Sequence, residues 1–452
     1  MKTVVIRGKR VVTADGVRAA TVHIRSGKIT AVHSHDDIPS SANVYDAGKS
    51  VVMPGLVDTH VHINEPGRTD WEGFETATRA AAAGGVTTLI DMPLNCIPAT
   101  TTAAALEAKR AAARDKCWVN VGFWGGVVPE NSGDLRALSR AGVFGFKCFM
   151  VPSGVPEFEH VNESDLRAAL PKLAAMDLPL LVHAELPGPI EEETKKLAKA
   201  DPRKYKTWLL SRPPRAETKA IEMLVRLARE FKARVHIVHL SSGLSVPLIR
   251  RAKQEGLRIT AETCPHYLTF SSGSIQNGWT EYKCAPPIRD SRNNARLWTA
   301  LGKDTIDLVV SDHSPSPPAM KCRDTGNFFQ AWGGISSLQV GLPVMWTQLS
   351  GRDYTLRDLL RWMSSGPARL AGLEKQKGEI AAGFDADLVV WNPEKVFTPR
   401  PKMLYHRHKL TPYLSESLRG VVEATFLGGE MIYDGSRFLG APRGVLLRRG
   451  KG

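Results

Sequence analysis

Two histidines, His60 and His62, end an apolar stretch and are the first residues whose types and spacing could do chemistry. Side chains alternate along a β-strand, so residues two apart point to the same face. Two imidazoles on one face can bind one borderline metal ion such as zinc. The alternative is a pair of structural core histidines. The flanking residues 53–58 favour the metal site.

Lys147 lies between apolar neighbours in a strand-like segment, residues 143–150. An ammonium group buried there would be costly. Reaction with carbon dioxide would give a carbamate anion, whose two oxygens can bridge two metal ions. The alternative is a lysine whose amine reaches the rim of the strand. The histidine pair favours the carbamate, so a carboxylated Lys147 is predicted.

Three more candidates stand at the ends of strand-like segments. His183 ends one of them, and Asp312 ends the last one with a carboxylate. His236 and His239 share a third segment, and their spacing puts them on opposite faces, so at most one faces inward. His239 is nearer the carboxyl end and is the predicted ligand. His236 is predicted to be structural.

The charges of these groups are consistent with a two-metal site. Two divalent ions bring four positive charges, and the neutral histidines bring none. The carbamate, Asp312 and a bridging hydroxide supply three negative charges. The site would keep about one positive charge, which suits the stabilisation of a developing oxyanion.

The segments that carry these residues alternate with helix-like segments. The strand-like segments are 51–61, 86–92, 118–123, 143–150, 180–183, 235–240, 259–263 and 306–310. The helix-like segments include 71–83, 102–113, 164–175 and 217–231. Strand-then-helix units in series predict an α/β fold, a (β/α)8 TIM-type barrel with its active site at the carboxyl ends of the strands.

Both ends of the chain are rich in short strands instead. They are predicted at 3–7, 20–25 and 28–32, and again at 386–391, 421–427 and 430–433. We therefore expect residues 1–50 and 386–452 to form one small β-sandwich domain. The barrel would then occupy residues 51–385.

Composition excludes several classes of protein. The chain has 452 residues, 42% hydrophobic and 23% charged, which is typical of a soluble globular protein. It has no run of about 18 apolar residues, so no membrane helix is predicted. Charged residues directly follow the first apolar run, which indicates a strand rather than a signal peptide. The six scattered cysteines are expected to be reduced. These features predict a cytoplasmic protein.

The net charge of +14 raises the question of nucleic-acid binding. The 60 lysines and arginines are spread thinly, and their densest cluster, residues 448–451, lies at a terminus that we expect to be frayed. Aromatic residues are not interleaved with them, so no nucleic-acid partner is predicted. The charge is expected to serve solubility and the attraction of anions.

Taken together, these residues resemble those of the cyclic amidohydrolases, a group of the amidohydrolase superfamily that includes dihydroorotases, hydantoinases, dihydropyrimidinases and allantoinases. The resemblance covers essentially the whole chain. It implies that His60 and His62 bind one metal with Asp312. It implies that His183 and His239 bind the second, and that carboxylated Lys147 bridges them. It also implies that Asp312 passes a proton to the leaving ring nitrogen, and that the chain forms a homotetramer.

Some segments resemble the allantoinase branch of that group in particular. They are residues 65–68, 71–73, 92–95, 98–100, 264–267, 283–290, 311–318, 326–335 and 407–413. Asn64 stands where dihydroorotases carry an arginine for the substrate carboxylate. Pro152 stands where dihydropyrimidinases and hydantoinases carry a tyrosine that binds the oxyanion. A neutral substrate needs no arginine, so Asn64 fits that branch.

Candidate substrate contacts are Asn95, Ser314 and the backbone at Ala285; turn formation or rim packing is the alternative for each. The resemblance implies a hydrolase with two divalent ions, zinc by default, that opens the hydantoin ring of allantoin to allantoate in purine (ureide) degradation. One alternative is a hydantoinase- or dihydropyrimidinase-like cyclic amidase. The other is a non-catalytic assembly homologue, for which an intact set of metal ligands would be a poor design.

Overall fold

The computed structural model describes residues 3–450, so the expectations for residues 1, 2, 451 and 452 lie outside the described residues. In chain order the strands are β1 (Val4–Thr13), β2 (Gly16–Arg25), β3 (Lys28–Ser34), β4 (Asn43–Asp46), β5 (Val51–Pro54), β6 (Leu56–Val61), β7 (Val86–Asp91), β8 (Asn120–Phe123), β9 (Gly125–Gly126), β10 (Phe146–Phe149), β11 (Pro179–His183), β12 (Arg234–Ile237), β13 (Ile259–Thr263), β14 (Leu308–Val309), β15 (Leu388–Phe397), β16 (Leu418–Leu427) and β17 (Glu430–Tyr433).

The helices lie mainly between the strands of the middle region. They are α1 (Phe74–Ala83), α2 (Ala103–Ala113), α3 (Leu135–Ala141), α4 (Glu163–Ala175), α5 (Pro187–Lys196), α6 (Tyr205–Ser211), α7 (Pro214–Phe231), α8 (Val246–Gln254), α9 (Pro265–Thr269), α10 (Ser291–Gly302), α11 (Gly341–Leu349), α12 (Leu356–Leu360) and α13 (Gly366–Ala371). Short 3-10 turns and one π-helical turn, Arg361–Ser365, complete the described chain.

The middle of the chain forms parallel sheets. Strands β6, β7 and β8 make one sheet in that order, and β9 to β14 make a second in chain order. All of these neighbours pair in parallel, and helices lie between most of them in the chain. Parallel strands need such crossovers and are covered by them, which explains why these strands are almost fully buried. The predicted α/β class is confirmed.

Strands from both ends of the chain pair in one sheet of eight strands. Its order is β17, β16, β15, β5, β1, β2, β3, with β4 beside β1. The sheet covers a buried apolar cluster that includes Ile6, Val22, Val52, Leu388 and Phe426. Strand β5 belongs to this sheet, so the sheet extends past residue 50, the predicted end of the amino-terminal strands.

The predicted strand at 51–61 is in fact two strands that serve different sheets. Gly55 separates β5 from β6. A β-carbon at Gly55 would lie 2.2 Å from Thr87 Oγ1, so only glycine allows this close approach. The apolar run looked continuous in the sequence because both strands are buried, and burial alone does not reveal a change of sheet.

Helix starts follow ordinary capping chemistry. The Asn162 side chain accepts hydrogen bonds from the backbone of Ser164 and Asp165 at the start of α4, and the Asp165 carboxylate accepts one from the backbone of Asn162. Thr102 caps α2 in a similar way. A polar cap of this kind stabilises a helix by about 1 kcal/mol. The helices predicted at 102–113 and 164–175 therefore begin within a residue of their predicted starts.

Up to residue 450, the carboxyl-terminal segment is docked rather than frayed, so for these residues that expectation was wrong. The backbone of Val121 donates to Val445 and accepts from Leu447, and Arg449 donates to Gly142. These bonds add the tail to the edge of β8. All six cysteines are free, as predicted. Within residues 3–450, no helix combines the length and the apolar character that a membrane crossing requires.

Candidate metal centre

The six predicted metal-binding residues lie at the carboxyl ends of parallel strands, and all six are buried. They are His60 in β6, His62 directly after it, Lys147 in β10, His183 at the end of β11, His239 shortly after β12, and Asp312 shortly after β14. Parallel strands present these ends at one edge, so residues far apart in the sequence become neighbours.

Asp312 is the point at which the first group of candidates meets. One of its oxygens, Oδ1, lies 3.2 Å from His60 Nε2 and 3.4 Å from His62 Nε2. Potential ligand atoms of His60, His239 and Asp312 all lie within 4.8 Å of one another. This spacing is compatible with a single ion between them, because zinc is bound by nitrogen and oxygen at about 2 Å.

His183 joins the same cluster from the neighbouring strand. Its ring centroid lies 4.6 Å from that of His239, and its other face stacks on Phe149 at 4.6 Å. Nε2 is 2.7 Å from Glu185, which also contacts Arg212. Within residues 3–450 this leaves Nδ1 as the ring nitrogen without a protein partner.

Lys147 is fully buried, and its amine has no hydrogen-bond partner among the described residues. Burial lowers the pKa of Lys147 to about 8, although Glu262 and Asp312 act in the opposite direction. A lower pKa increases the fraction of neutral amine, which is the form that reacts with carbon dioxide. The environment therefore suits the predicted carbamate.

The pKa values of the imidazoles and the carboxylate favour the metal-binding protonation states. Burial lowers the pKa of His62 and of His183 to about 4, and lowers that of His239 well below its usual range. Burial raises the pKa of Asp312, but the opposite effect of His60 and His62 is larger, so the net shift is downward. At neutral pH these histidines are neutral and Asp312 is ionised, as ligands must be.

A buried carboxylate that the sequence reasoning missed, Glu262, orients the first histidine. Glu262 lies in β13, 2.5 Å from His60 Nδ1 and 2.9 Å from His236 Nε2. Its contact with Nδ1 directs Nε2 of His60 toward Asp312. Carboxylates in this position fix the tautomer of a metal-binding histidine. The structural role predicted for His236 agrees with these contacts, since its Nδ1 also meets Thr260 at 2.7 Å.

Asp58, the last residue of the flanking segment 53–58, joins the first and last strands of the site. No role of its own was predicted for it from the sequence. One of its oxygens accepts from the backbone of His60 at 3.1 Å, and the other accepts from Ser311 at 3.1 Å. Burial raises the pKa of Asp58 to about 6, against the effect of these bonds. An acidic residue inside an apolar strand was the available signal for both Asp58 and Glu262.

The backbone is strained at two candidate ligands. His239 has φ of 38° and Asp312 has φ of 45°. The left-handed region costs a non-glycine residue about 1 kcal/mol or more, and such strain concentrates at functional sites. Both residues follow short strands, so the strain turns their side chains into the site instead of continuing the strand.

The residues present fit a pair of divalent ions. Within residues 3–450, His62 Nδ1, His239 Nδ1 and Lys147 Nζ are buried without a hydrogen-bond partner. Such groups are expensive to bury. Imidazole nitrogens with a carboxylate are a donor set that suits zinc and its neighbours. An additional anionic bridge at Lys147 would complete it.

A cavity of about 340 Å³ opens onto these residues, and the three predicted substrate contacts lie on its wall. Asn95, Ser314 and Ala285 share this lining with five of the six metal candidates, all except Lys147. Ligand pockets commonly enclose about 300–1,000 Å³, so the cavity suits a small molecule. Arg212, Lys283 and the segment 329–334 also line the cavity, and none of them was assigned a role there from the sequence.

Asn64 and Pro152, the two positions that distinguish branches of the amidohydrolase group, lie in different places. Pro152 lines the cavity, as expected of the position that carries a tyrosine in the relatives. Asn64 is fully buried, and neither polar atom of its side chain has a partner among residues 3–450. Asn64 is not among the residues that line the cavity.

Two other buried histidines, His313 and His266, have different environments. His313 Nδ1 accepts from the backbone of Ser337 at 3.1 Å, and Nε2 lies 3.3 Å from Glu72, so His313 is a structural residue. His266 is fully buried beside Asp312 and Cys264, with no partner for either ring nitrogen among residues 3–450.

Sequence comparison identifies the family. The model of the Amidohydrolase family matches residues 51–432. A protein named allantoinase from Streptomyces avermitilis is 50% identical over 98% of this chain and 98% of its own length. The allantoinase of Arabidopsis thaliana is 43% identical over 95% of this chain and 87% of its own length. That of Saccharomyces cerevisiae is 45% identical over 84% and 82%.

Solved structures give the same fold. The L-hydantoinase (dihydropyrimidinase) from Arthrobacter aurescens superposes with a TM-score of 0.95 at 30% identity, over 99% of this chain and 100% of that one. The dihydropyrimidinase from Brevibacillus agri superposes with a TM-score of 0.89 at 26% identity, over 99% and 100%. The resemblance drawn from the sequence is thus confirmed: the chain is a hydrolase and belongs to the amidohydrolase family.

Proposed function

We propose that this protein hydrolyses the hydantoin-ring amide of allantoin to give allantoate. The convergence of six candidate ligands on one small cavity carries the proposal. Eight relatives at 39–50% identity are named allantoinases or probable allantoinases, and this supports the choice of substrate. Structures titled hydantoinase or dihydropyrimidinase are less similar, at 24–30% identity.

The candidates would hold two divalent ions, zinc by default. His60, His62 and Asp312 would hold one, His183 and His239 would hold the other, and Lys147 would join both as its carbamate. The ions would supply an activated water nucleophile and positive charge for the developing oxyanion. Glu262 and Glu185 hold the imidazole rings of His60 and His183 at fixed orientations.

Asp312 is the proposed proton carrier. Its lowered pKa keeps the carboxylate ionised at neutral pH, so an oxygen can accept a proton from the attacking water. As the ring carbon–nitrogen bond breaks, Asp312 returns this proton to the leaving ring nitrogen. The product then carries a carboxylic acid, which loses its proton to solvent at neutral pH, and the freed nitrogen as the NH2 of a ureido group, and Asp312 is ionised again.

A substrate panel tests the proposal. Allantoin, dihydroorotate and dihydrouracil are assayed with one preparation whose metal content is measured. We expect kcat/KM for allantoin to be at least about a hundredfold above the other two, because a site built for particular polar partners rejects ligands that leave them unpaired. Comparable turnover of dihydroorotate or dihydrouracil would overturn the substrate and leave the metal chemistry standing.

We also propose that the two parallel sheets form one closed (β/α)8 barrel. A parallel bridge between Val61 and His313 supports closure, as does the single residue, Trp124, between β8 and β9. The separate apolar cluster under the eight-stranded sheet supports a β-sandwich domain from both ends of the chain. The homotetramer and the cytoplasmic location stay predictions, and light scattering of the purified protein tests the former.

A further inference from the structure

Two buried lysines, Lys283 and Lys321, support one part of the cavity: Lys283 lines it, and Lys321 binds the backbone of Trp332 and Gly334, which also line it. Lys283 and Lys321 are 7% and 5% exposed. No carboxylate pairs with either amine within 4.0 Å among residues 3–450. A buried ammonium without an ionic partner is costly and therefore rare. Two such groups beside one cavity call for a physical explanation.

Both amines bind backbone carbonyls of a single segment. Lys283 Nζ donates to Ala331 at 2.5 Å and to Phe329 at 3.3 Å. Lys321 Nζ donates to Gly334 at 2.6 Å and to Trp332 at 3.1 Å. We call residues 329–334 the loop wall. Four of its backbone carbonyls therefore bind two cations.

The backbone amides of Phe329, Gln330 and Ala331 in the loop wall are bound by Asn327, but among residues 3–450 the carbonyls of the loop wall accept hydrogen bonds only from the two lysines. The loop wall contains no helix or strand, and every one of its residues lines the cavity. The backbone of Gly334 donates to Lys283 at 2.8 Å, and that of Trp332 donates to Met320 at 2.7 Å. Phe329 is 38% exposed at the edge of the cavity. An irregular segment of this kind moves unless its polar groups are bound.

Lys283 has a second contact that fixes its position. Its amine lies 4.4 Å from the ring centroid of Trp208, which also lines the cavity. A cation over an aromatic face gains about 0.5–2 kcal/mol, most when it is desolvated. The ring and the two carbonyls therefore replace part of the lost hydration, and they hold the amine between α6 and the loop wall.

We propose that Lys283 and Lys321 are positioning residues that hold the loop wall in the shape that binds substrate. The inference rests on the proposed function for the identity of that substrate. Neither lysine contacts a candidate metal ligand, so the effect is on binding and not on the chemical step. A site must be preorganised to bind well, and ordering a loose wall on binding weakens affinity.

The test compares Lys283→Met and Lys321→Met with the unmodified enzyme. Methionine keeps most of the side-chain volume and removes the cation. Each variant should raise KM for allantoin about tenfold, the value of a charged hydrogen bond, with kcat nearly unchanged. Lys283→Arg, which keeps a cation and its donors, should recover part of the loss.

A second measurement does not depend on activity. Limited digestion with chymotrypsin, mapped by mass spectrometry, reports the mobility of Phe329 and Trp332. Cleavage at these residues should be several-fold faster in Lys283→Met and Lys321→Met than in the unmodified protein. The matched control is Lys172→Met, because Lys172 Nζ also binds a loop carbonyl, that of Ser132 at 2.8 Å, outside the cavity lining. It should leave KM and this cleavage unchanged.

The outcomes separate the two proposals. If the unmodified enzyme does not hydrolyse allantoin, the proposed function fails, and the cleavage rates still decide the role of the lysines. Unchanged KM and cleavage in both methionine variants would overturn the role of the lysines. So would a loss of kcat with KM unchanged. If one variant does not fold, as judged by circular dichroism, the other variant and Lys283→Arg decide.

Discussion

The two sides of the cavity are supported by opposite charges. On the metal side, buried carboxylates such as Glu262 and Glu185 hold histidine rings in place. On the loop wall, the buried cations of Lys283 and Lys321 hold carbonyl oxygens. Imidazoles that bind cations need anionic support, while an irregular backbone with free carbonyls needs donors. The first side therefore carries the proposed chemistry, and the second carries the proposed fit to substrate.

The largest expected effect comes from the metal side. Lys147→Ala should remove the bridge and with it the second ion. Losing that ion removes several kcal/mol of transition-state stabilisation, which corresponds to roughly 10⁴-fold in rate. Elemental analysis should show close to two divalent ions per chain before the substitution and at most one after it.

The control for Lys147→Ala is its neighbour. Cys148 is fully buried and burial raises the pKa of its thiol to about 12, so it is not a reactive thiolate. Cys148→Ala should keep both ions and most of the activity. A short carboxylic acid should restore part of the activity of Lys147→Ala by replacing the carbamate. Full metal content and rate in Lys147→Ala would show the carbamate hypothesis to be wrong.

Asp312→Asn should have the second-largest effect. The amide keeps the shape of the side chain but cannot accept a proton, so at metal content matched to the unmodified enzyme kcat should fall by about 10³-fold, within the range for a general acid–base group. KM should change little if the substrate is held by the loop wall. A variant that retains kcat would exclude Asp312 as the proton carrier.

Glu262→Gln should have a smaller effect, because it acts through His60. Loss of such a carboxylate costs about 10- to 100-fold in metal affinity or activity. Competition with a chelator measures the affinity. Glu217→Gln is the matched control, since Glu217 is buried and paired with Arg289 at 2.6 Å but contacts no candidate ligand. Equal losses of metal affinity in both variants would mean that Glu262 acts only on stability.

The placement of the metal candidates could be predicted because strand alternation and strand ends fix where a side chain points. His60, His62 and His183 lie in or directly after strands, where the period of two decides the facing residue. The rejection of His236 in favour of His239 followed the same rule, and its contacts with Thr260 and Glu262 agree.

The loop wall could not be predicted from the same rules. Lys283 and Lys321 appear in the sequence as ordinary charged residues, and their burial depends on contacts with the loop wall and, for Lys283, with Trp208 of α6. The break at Gly55 was missed for a related reason, because Thr87 approaches it from a distant part of the chain. Periodicity describes single elements, whereas these features are set by contacts between elements.

The smallest predicted effect is a pH dependence of KM. Burial lowers the pKa of Lys283 to about 7, and the nearby cations Arg212 and Lys321 lower it further, against a small opposite effect of Cys322. Below pH 7 the amine is charged and binds both carbonyls strongly. Above pH 7 it becomes neutral, and a neutral hydrogen bond is weaker by about 1 kcal/mol, so KM should rise about fivefold toward pH 9. Lys321, whose pKa burial lowers to about 8, should add to this rise. In Lys283→Met, KM should be high at every pH, and most of its rise with pH should be absent. If KM of the variant and of the unmodified enzyme had the same pH profile, the pH dependence would belong to the metal side instead.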